Sequence, residues 1–290
     1  MGGDGQPLHS DAALAVVKAE GEQFVQKLGK LGLLGLRRPV RIRAAAAPSA
    51  GAGAGGEKLV HFVRHGQGFH NLLADLYLAA GKKWDSESGA GGEDNPYCRP
   101  EVLDPPLTEV GRGQARQLQA AAQGLSPGLV VVSPHVRATQ TALIGFSHLV
   151  QGTATKVPFV AHEGCREITG VHVCDRRRPV SELRCDFPMV DYECGGVPEE
   201  DAAWSATERE PLPRLAERGY DFLLWLRDRP ESEIVVASHM AWLFTLFNSV
   251  LEIDDSALRV AFRTGEMRSL VLSFGTHDEE VPAAKRPRSE

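Results

Sequence analysis

The chain has 290 residues, 42% of them apolar and 24% charged, with a formal net charge of −6. These proportions suit one ordinary globular domain with tails and argue against a general nucleic-acid binder. No apolar run is long enough to cross a bilayer, and the five cysteines (Cys98, Cys165, Cys174, Cys185 and Cys194) include no C-x-x-C pair of the zinc-holding kind. An odd cysteine count without an apolar signal segment fits a reducing compartment better than secretion.

In chain order, residues 11–36 show helical apolar spacing at Leu14, Val17, Phe24, Leu28 and Leu31. They read as a docking helix or cytosolic extension; an organelle transit segment is the alternative, and Asp4, Asp11, Glu20 and Glu22 count against it. "RRPVRIRAAAAPSAGAGAGG" follows as a flexible linker. The core is expected over 57–277, with 1–56 as extension and linker and 278–290 as a disordered tail. The tail's "KRPR" is a weak nuclear-import pattern. The expected location is cytoplasmic, with plastid or nucleus as alternatives.

Short apolar runs at 58–63, 129–134, 157–162, 233–239 and 268–274 read as strands, several too continuously apolar to have a wet face. Helical patterns lie between them at 107–124, with Thr108 as N-cap, and at 137–150, 212–229 and 241–250. The alternation predicts an α/β fold, a sheet covered on both faces by helices. Ligands of such sheets gather beyond the carboxyl ends of the strands. That rule selects Arg64 and His65, then Ser133 to Arg137, then Glu163 to Glu167, then His239. Segment 81–106, rich in Gly, Asp and Pro, reads as a loop over this rim.

Several chemistries fit poorly. His61, His65 and His70 lack helical metal-ligand spacing, so no metal is expected. G-x-S-x-G and a Walker loop are both absent. Phosphoryl transfer to histidine fits better. A neutral imidazole is nucleophilic near neutrality, and guanidinium forks suit the crowded oxygens of a phosphoryl group. Arg64 and Arg137 supply such forks from two strand ends. His239 precedes a helix whose N-terminal amides favour anions. A carboxylic acid on a neighbouring loop can protonate the leaving alkoxide. Arg137, near a helix N-terminus, calls for an anion there.

"RHG" after a strand, Asn71, "DPPLTEVGRGQA" (104–115), "SPHVRATQTA" (133–142), "CREITG" (165–170) and "ASH" (237–239) resemble, in order and spacing from Lys58 to Phe274, the histidine phosphatase superfamily. Its phosphoglycerate-mutase-like branch of plants and fungi is the nearest pattern. The resemblance implies a three-layer α/β/α sandwich, its sheet mainly parallel with one antiparallel edge strand. It also implies His65 as the nucleophile that forms phosphohistidine, and Arg64, Arg137, Asn71 and His239 as the phosphate pocket. Glu167 would be the proton donor, with Glu163 as its local rival, and no cofactor or metal would be needed. The expected function is a metal-independent phosphomonoesterase acting on a small phosphorylated substrate, without nucleic-acid or membrane partners. A mutase that returns the phosphoryl group to another hydroxyl is the alternative, and a non-catalytic phosphate-ester binder is the third reading. "DRRRP" (175–179) reads either as a second anion subsite or as a solvated charge run. Trp204 and Glu208 read as a lid or a surface helix.

Overall fold

In the computed structural model, residues 11–47, 56–84, 95–152 and 154–276 are described. Their strands are β1 (Arg41–Ala46), β2 (Lys58–Arg64), β3 (Leu129–Val132), β4 (Val150–Gln151), β5 (Ala154–Thr155), β6 (Phe159–Ala161), β7 (Val190–Asp191), β8 (Glu233–Ser238) and β9 (Met267–Gly275). Seven of them form one sheet in the order β1-β9-β2-β8-β3-β6-β7, and β4 and β5 pair separately. The pairs β2–β8, β8–β3, β3–β6 and β6–β7 are parallel, while β9 runs antiparallel to both β2 and β1. The sheet is therefore mainly parallel with an antiparallel edge region, as expected.

The helices are α1 (Asp11–Lys30), α2 (Phe69–Ala79), α3 (Glu109–Ala122), α4 (Val136–Gly145), α5 (Val180–Asp186), α6 (Leu212–Arg227) and α7 (Met240–Thr245). Strand β8 shows why the apolar runs had no wet face. Ile234 and Val236 enter one core with residues of α1, α6 and α7, while Val235 and Ala237 enter a second core with residues of α3, α4 and α5. Successive side chains point to opposite faces of a strand, so a strand covered on both faces reads as continuously apolar. The result is three layers.

The sequence expectations need correction at several places. The stretch expected as linker supplies β1, in which Ile42 and Ala44 are buried and Arg43 is exposed. This is a period-two pattern that the surrounding alanines and glycines obscured. With α1 and β1 packed into the core, the folded unit begins before Glu57. The remainder of the expected linker (48–55) and the tail with its "KRPR" lie outside the described residues. The first helix stops at Lys30, and Gly32 and Gly35 then take left-handed φ values of 66° and 67°, which ends helical continuation. The helix expected over 241–250 becomes π-helical at Leu246–Val250, where Asn248 Nδ2 donates to the Phe244 carbonyl at 2.9 Å. Helix α2 was not foreseen: only His70 and Ala74 are buried on it, and Phe69, Leu76 and Leu78 are exposed. Its apolar residues therefore make no inward stripe.

Candidate active site

Strand ends deliver the rim residues together. β2 ends in Arg64 and leads into His65, the turn after β3 leads into Arg137 on α4, and β8 leads into His239 at the start of α7. The turn after β6 supplies Glu163 and Glu167. Gly66 is glycine because a Cβ there would meet the Gly111 carbonyl oxygen at 2.5 Å. Backbone packs directly on backbone where α3 crosses the turn. The Thr141 hydroxyl accepts from the Gly66 amide at 3.0 Å and donates to the Arg137 carbonyl at 2.7 Å. One side chain thus ties the histidine turn to the arginine helix.

His65 is buried, and its Nδ1 lies 2.7 Å from the Gly66 carbonyl. A carbonyl only accepts, so Nδ1 carries the hydrogen and Nε2 keeps its lone pair. Burial, reinforced by the positive charges of Arg137 and Arg64, holds this ring well below the usual imidazole range, so it is neutral. The His239 ring stands 5.0 Å from it and the His70 ring 5.6 Å.

A chain of hydrogen bonds fixes the state of His239. His135 Nε2 lies 3.1 Å from the Asp175 carbonyl, so it donates, and its Nδ1 accepts from Ser133 Oγ at 3.1 Å. The Ser133 oxygen, its hydrogen engaged, accepts from His239 Nε2 at 2.7 Å. His239 therefore carries its hydrogen on Nε2, and its buried Nδ1 has no hydrogen-bond partner among the described residues. Burial and then Arg137 hold His239 well below the usual imidazole range, and burial with Arg137 and Arg166 does the same for His135.

Arg137 is 1% exposed. It donates to the Cys174 carbonyl at 2.7 Å and to Asp175 Oδ1 at 3.0 Å, and its Nε has no hydrogen-bond partner among the described residues. Asp175 is the anion its position called for. The amide of Val136 at the head of α4 is instead held by Asp104 Oδ1 at 3.0 Å. Burial disfavours the Asp175 charge, but His172, Arg209 and Arg137 outweigh it and hold this carboxyl well below its usual range. Arg64 donates to the Phe262 carbonyl at 2.6 Å. Asn71 lines the same cleft, its side-chain oxygen accepting from the Gly68 amide at 3.0 Å.

The two glutamates separate clearly. Glu167 lines the cleft that holds His65 and Arg137. Its carboxyl accepts from the amides of Ala241 (3.1 Å), Trp242 (3.0 Å) and Ile168 (3.0 Å). Burial and the nearby Asp175 charge raise its pKa above the usual carboxyl range despite those amides. Glu163 instead binds Arg166 and Arg177, each at 2.8 Å, away from the cleft lining.

Other expectations resolve here too. Arg177 is buried and donates to Glu163 and to the carbonyls of Arg178, Pro198, Glu199 and Glu200. It is neither solvated nor an anion subsite, because its donors are committed within the fold. Trp204 lies in a turn-rich segment, not a surface helix, and its Nε1 donates to the His172 carbonyl at 2.9 Å. His61 sits within β2, bridging Ser269 at 2.7 Å and Glu233 at 3.3 Å, outside the cleft. In the segment expected to cover the rim, residues 85–94 lie outside the described residues, while Tyr97 reaches the cleft. Sequence reasoning placed Ser133 and His135 on the rim and Asp175 in the charge run "DRRRP", but it foresaw neither their hydrogen bonds nor Arg209. His172, Cys174 and Asp175 place potential ligand atoms within 4.8 Å of one another, but Arg137 and Arg209 occupy the Asp175 oxygens at 3.0 Å each.

A neutral imidazole, two guanidiniums and a buried carboxyl thus meet beyond the strand ends. The model of the histidine phosphatase superfamily (branch 1) matches residues 101–281, and the chain belongs to that family. It is similar to a phosphoglycerate mutase-like protein of Arabidopsis thaliana, 33% identical over 258 aligned residues, the match covering 77% of this chain and 89% of that one. Phosphoglycerate mutase-like protein 1 of the same plant is 32% identical over 219 residues (67% and 72%). A Saccharomyces cerevisiae protein named as a probable phosphoglycerate mutase is 29% identical over 198 residues (61% and 65%). The plant and fungal resemblance is thereby borne out.

Proposed function

We propose that the chain is a metal-independent phosphomonoesterase that works through phosphohistidine at His65 Nε2. The supporting observation is the His65 tautomer: the Nδ1 hydrogen is engaged by the Gly66 carbonyl, so the lone pair sits on Nε2 beside Arg137 and His239. The Nε2 lone pair attacks phosphorus, and the P–O bond to the alcohol breaks. Arg64, Arg137 and His239 take up the charge on the transferring oxygens, and Asn71 lies at the edge of the pocket. Glu167, whose pKa burial raises, gives its proton to the departing alkoxide. The resulting carboxylate then takes a proton from water, which attacks phosphorus and releases phosphate from His65. For His239 to donate to a phosphate oxygen through Nδ1, a proton must arrive with the substrate, since in the free protein that hydrogen is on Nε2.

The relatives' names bring in a second reading, a mutase that passes the phosphoryl group to another hydroxyl before water enters. The first half-reaction is the same. A panel of phosphomonoesters assayed with chelator present separates the two. Release of inorganic phosphate supports the phosphatase, and isomer formation from 3-phosphoglycerate without free phosphate supports the mutase. Absence of turnover on every ester, with phosphate esters still bound, would leave only a binding role and contradict the proposal.

A further inference from the structure

Helix α1 precedes the span matched to the family, yet it borders the cleft that holds His65. Gln23, Phe24, Lys27 and Leu31 line that cleft, and their successive spacings of one, three and four residues place them on one stripe of the helix and its last turn. The helix is firmly seated. Leu28 is fully buried, Phe24 meets Phe244 edge to face at 5.5 Å, and Ser249 Oγ donates to the Leu33 carbonyl at 2.9 Å. Phe244 belongs to α7, whose first amides hold Glu167. The wall and the acid therefore share one support.

The chemistry of the cleft beyond the phosphate pocket is specific. Ile168, Pro211, Leu212 and Met240 join Phe24 and Leu31 as apolar lining. The cavity measures about 590 Å³, within the roughly 300–1,000 Å³ of sites that enclose a drug-sized ligand. A three-carbon phosphate would leave most of that apolar lining uncovered. Arg209 is engaged by the carbonyls of Ile168 and Gly170 and by Asp175.

We propose that α1 is the specificity wall of this active site, selecting phosphomonoesters of large, predominantly apolar alcohols. The proposal rests on the phosphatase reading and names its substrate class. Full-length protein is assayed with two probes, 2-glycerophosphate and 1-naphthyl phosphate. The wild type is expected to favour 1-naphthyl phosphate over 2-glycerophosphate in kcat/KM by at least about tenfold. Phe24→Ala and Leu31→Ser are each expected to lower that preference about tenfold, mainly through KM. Leu31 is 47% exposed, so Leu31→Ser reports on the wall even if Phe24→Ala weakens the fold. Wild-type hydrolysis with that preference unchanged by both substitutions overturns the wall. Failure of the wild type to hydrolyse any probe overturns the phosphatase reading on which it rests.

Discussion

Two charged clusters stand side by side at the sheet rim, built from the same residue types to different ends. In one, Arg166 donates to Glu163 and to both oxygens of Asp201, and Arg177 completes the Glu163 carboxylate. Burial opposes the Arg166 charge, but Asp201 and Glu163 raise its pKa above even the usual guanidinium value. In the other, Arg64 and Arg137 stand with Asp175 among the histidines His65, His70 and His239, all held neutral by burial. The first cluster matches cation to carboxylate and locks loops together. The second sets Arg64 and Arg137 against one carboxylate beside rings held neutral, a balance of charge that suits a phosphate dianion in the proposed function. What separates scaffold from site is the balance of charge and hydrogen bonds, not the residues present.

The comparison can be broken most directly at the nucleophile. His65→Ala should reduce turnover on the order of 10⁴-fold or more, measured as phosphate release, while the Arg166 cluster and the fold persist. Substantial residual hydrolysis would remove His65 from the reaction.

The glutamates give the sharpest contrast. Glu167→Gln should lower kcat about 10²- to 10⁴-fold for alkyl esters and less for aryl esters, whose leaving groups need little protonation. Glu163→Gln should leave kcat within about tenfold and instead lower the melting temperature, because it weakens a largely buried pair. In the proposed mechanism the acid works only while protonated and the nucleophile only while neutral. Burial moves Glu167 up and His65 down, so both shifts favour these two conditions at once. Turnover should fall at high pH as Glu167 ionises, and Glu167→Gln should erase that limb. A limb that survives the substitution would point to another acid.

The relay predicts a smaller effect. Ser133→Ala removes the oxygen that holds the hydrogen on His239 Nε2 and should cost about tenfold in kcat/KM, with a change in the His239 tautomer seen by nitrogen NMR. An unchanged tautomer would show that Ser133 does not set it.

The last effect is on stability and not on turnover. His65, His70, His135 and His239 all have folded-state values depressed by burial. The unfolded chain then binds more protons as pH falls through the ordinary imidazole range. Stability is retained above that range and lost below it, by up to about 1.4 kcal/mol per pH unit for each group. Melting temperature should decline from pH 7 to pH 5. A flat profile would mean that these rings are not buried as neutral groups.

Much of this site was legible because its residues sit at strand ends. Arg64, His65, Arg137 and His239 follow apolar runs that can only be buried strands, and the rim rule gathers them without coordinates. Choosing between Glu167 and Glu163 needed the structure, because four residues of loop decide which carboxyl meets the cleft. Arg209 and the part Asp175 plays were not legible: both residues come from irregular segments with no periodicity, and their meeting depends on how those loops fold back. Strand β1 was hidden by small alanines, whose weak hydropathy masks alternation. The role of α1 was hidden for another reason, since its spacing shows an apolar face but not what that face covers.

The central claim is that His65 Nε2 carries the phosphoryl group. Reaction with a phosphomonoester, quenched in base and followed by mass spectrometry of the peptide containing His65, tests it most directly. The account predicts a base-stable, acid-labile phosphate on that residue, absent in His65→Ala. Rapid turnover with no phosphate on His65, or with phosphate on another residue, would contradict it.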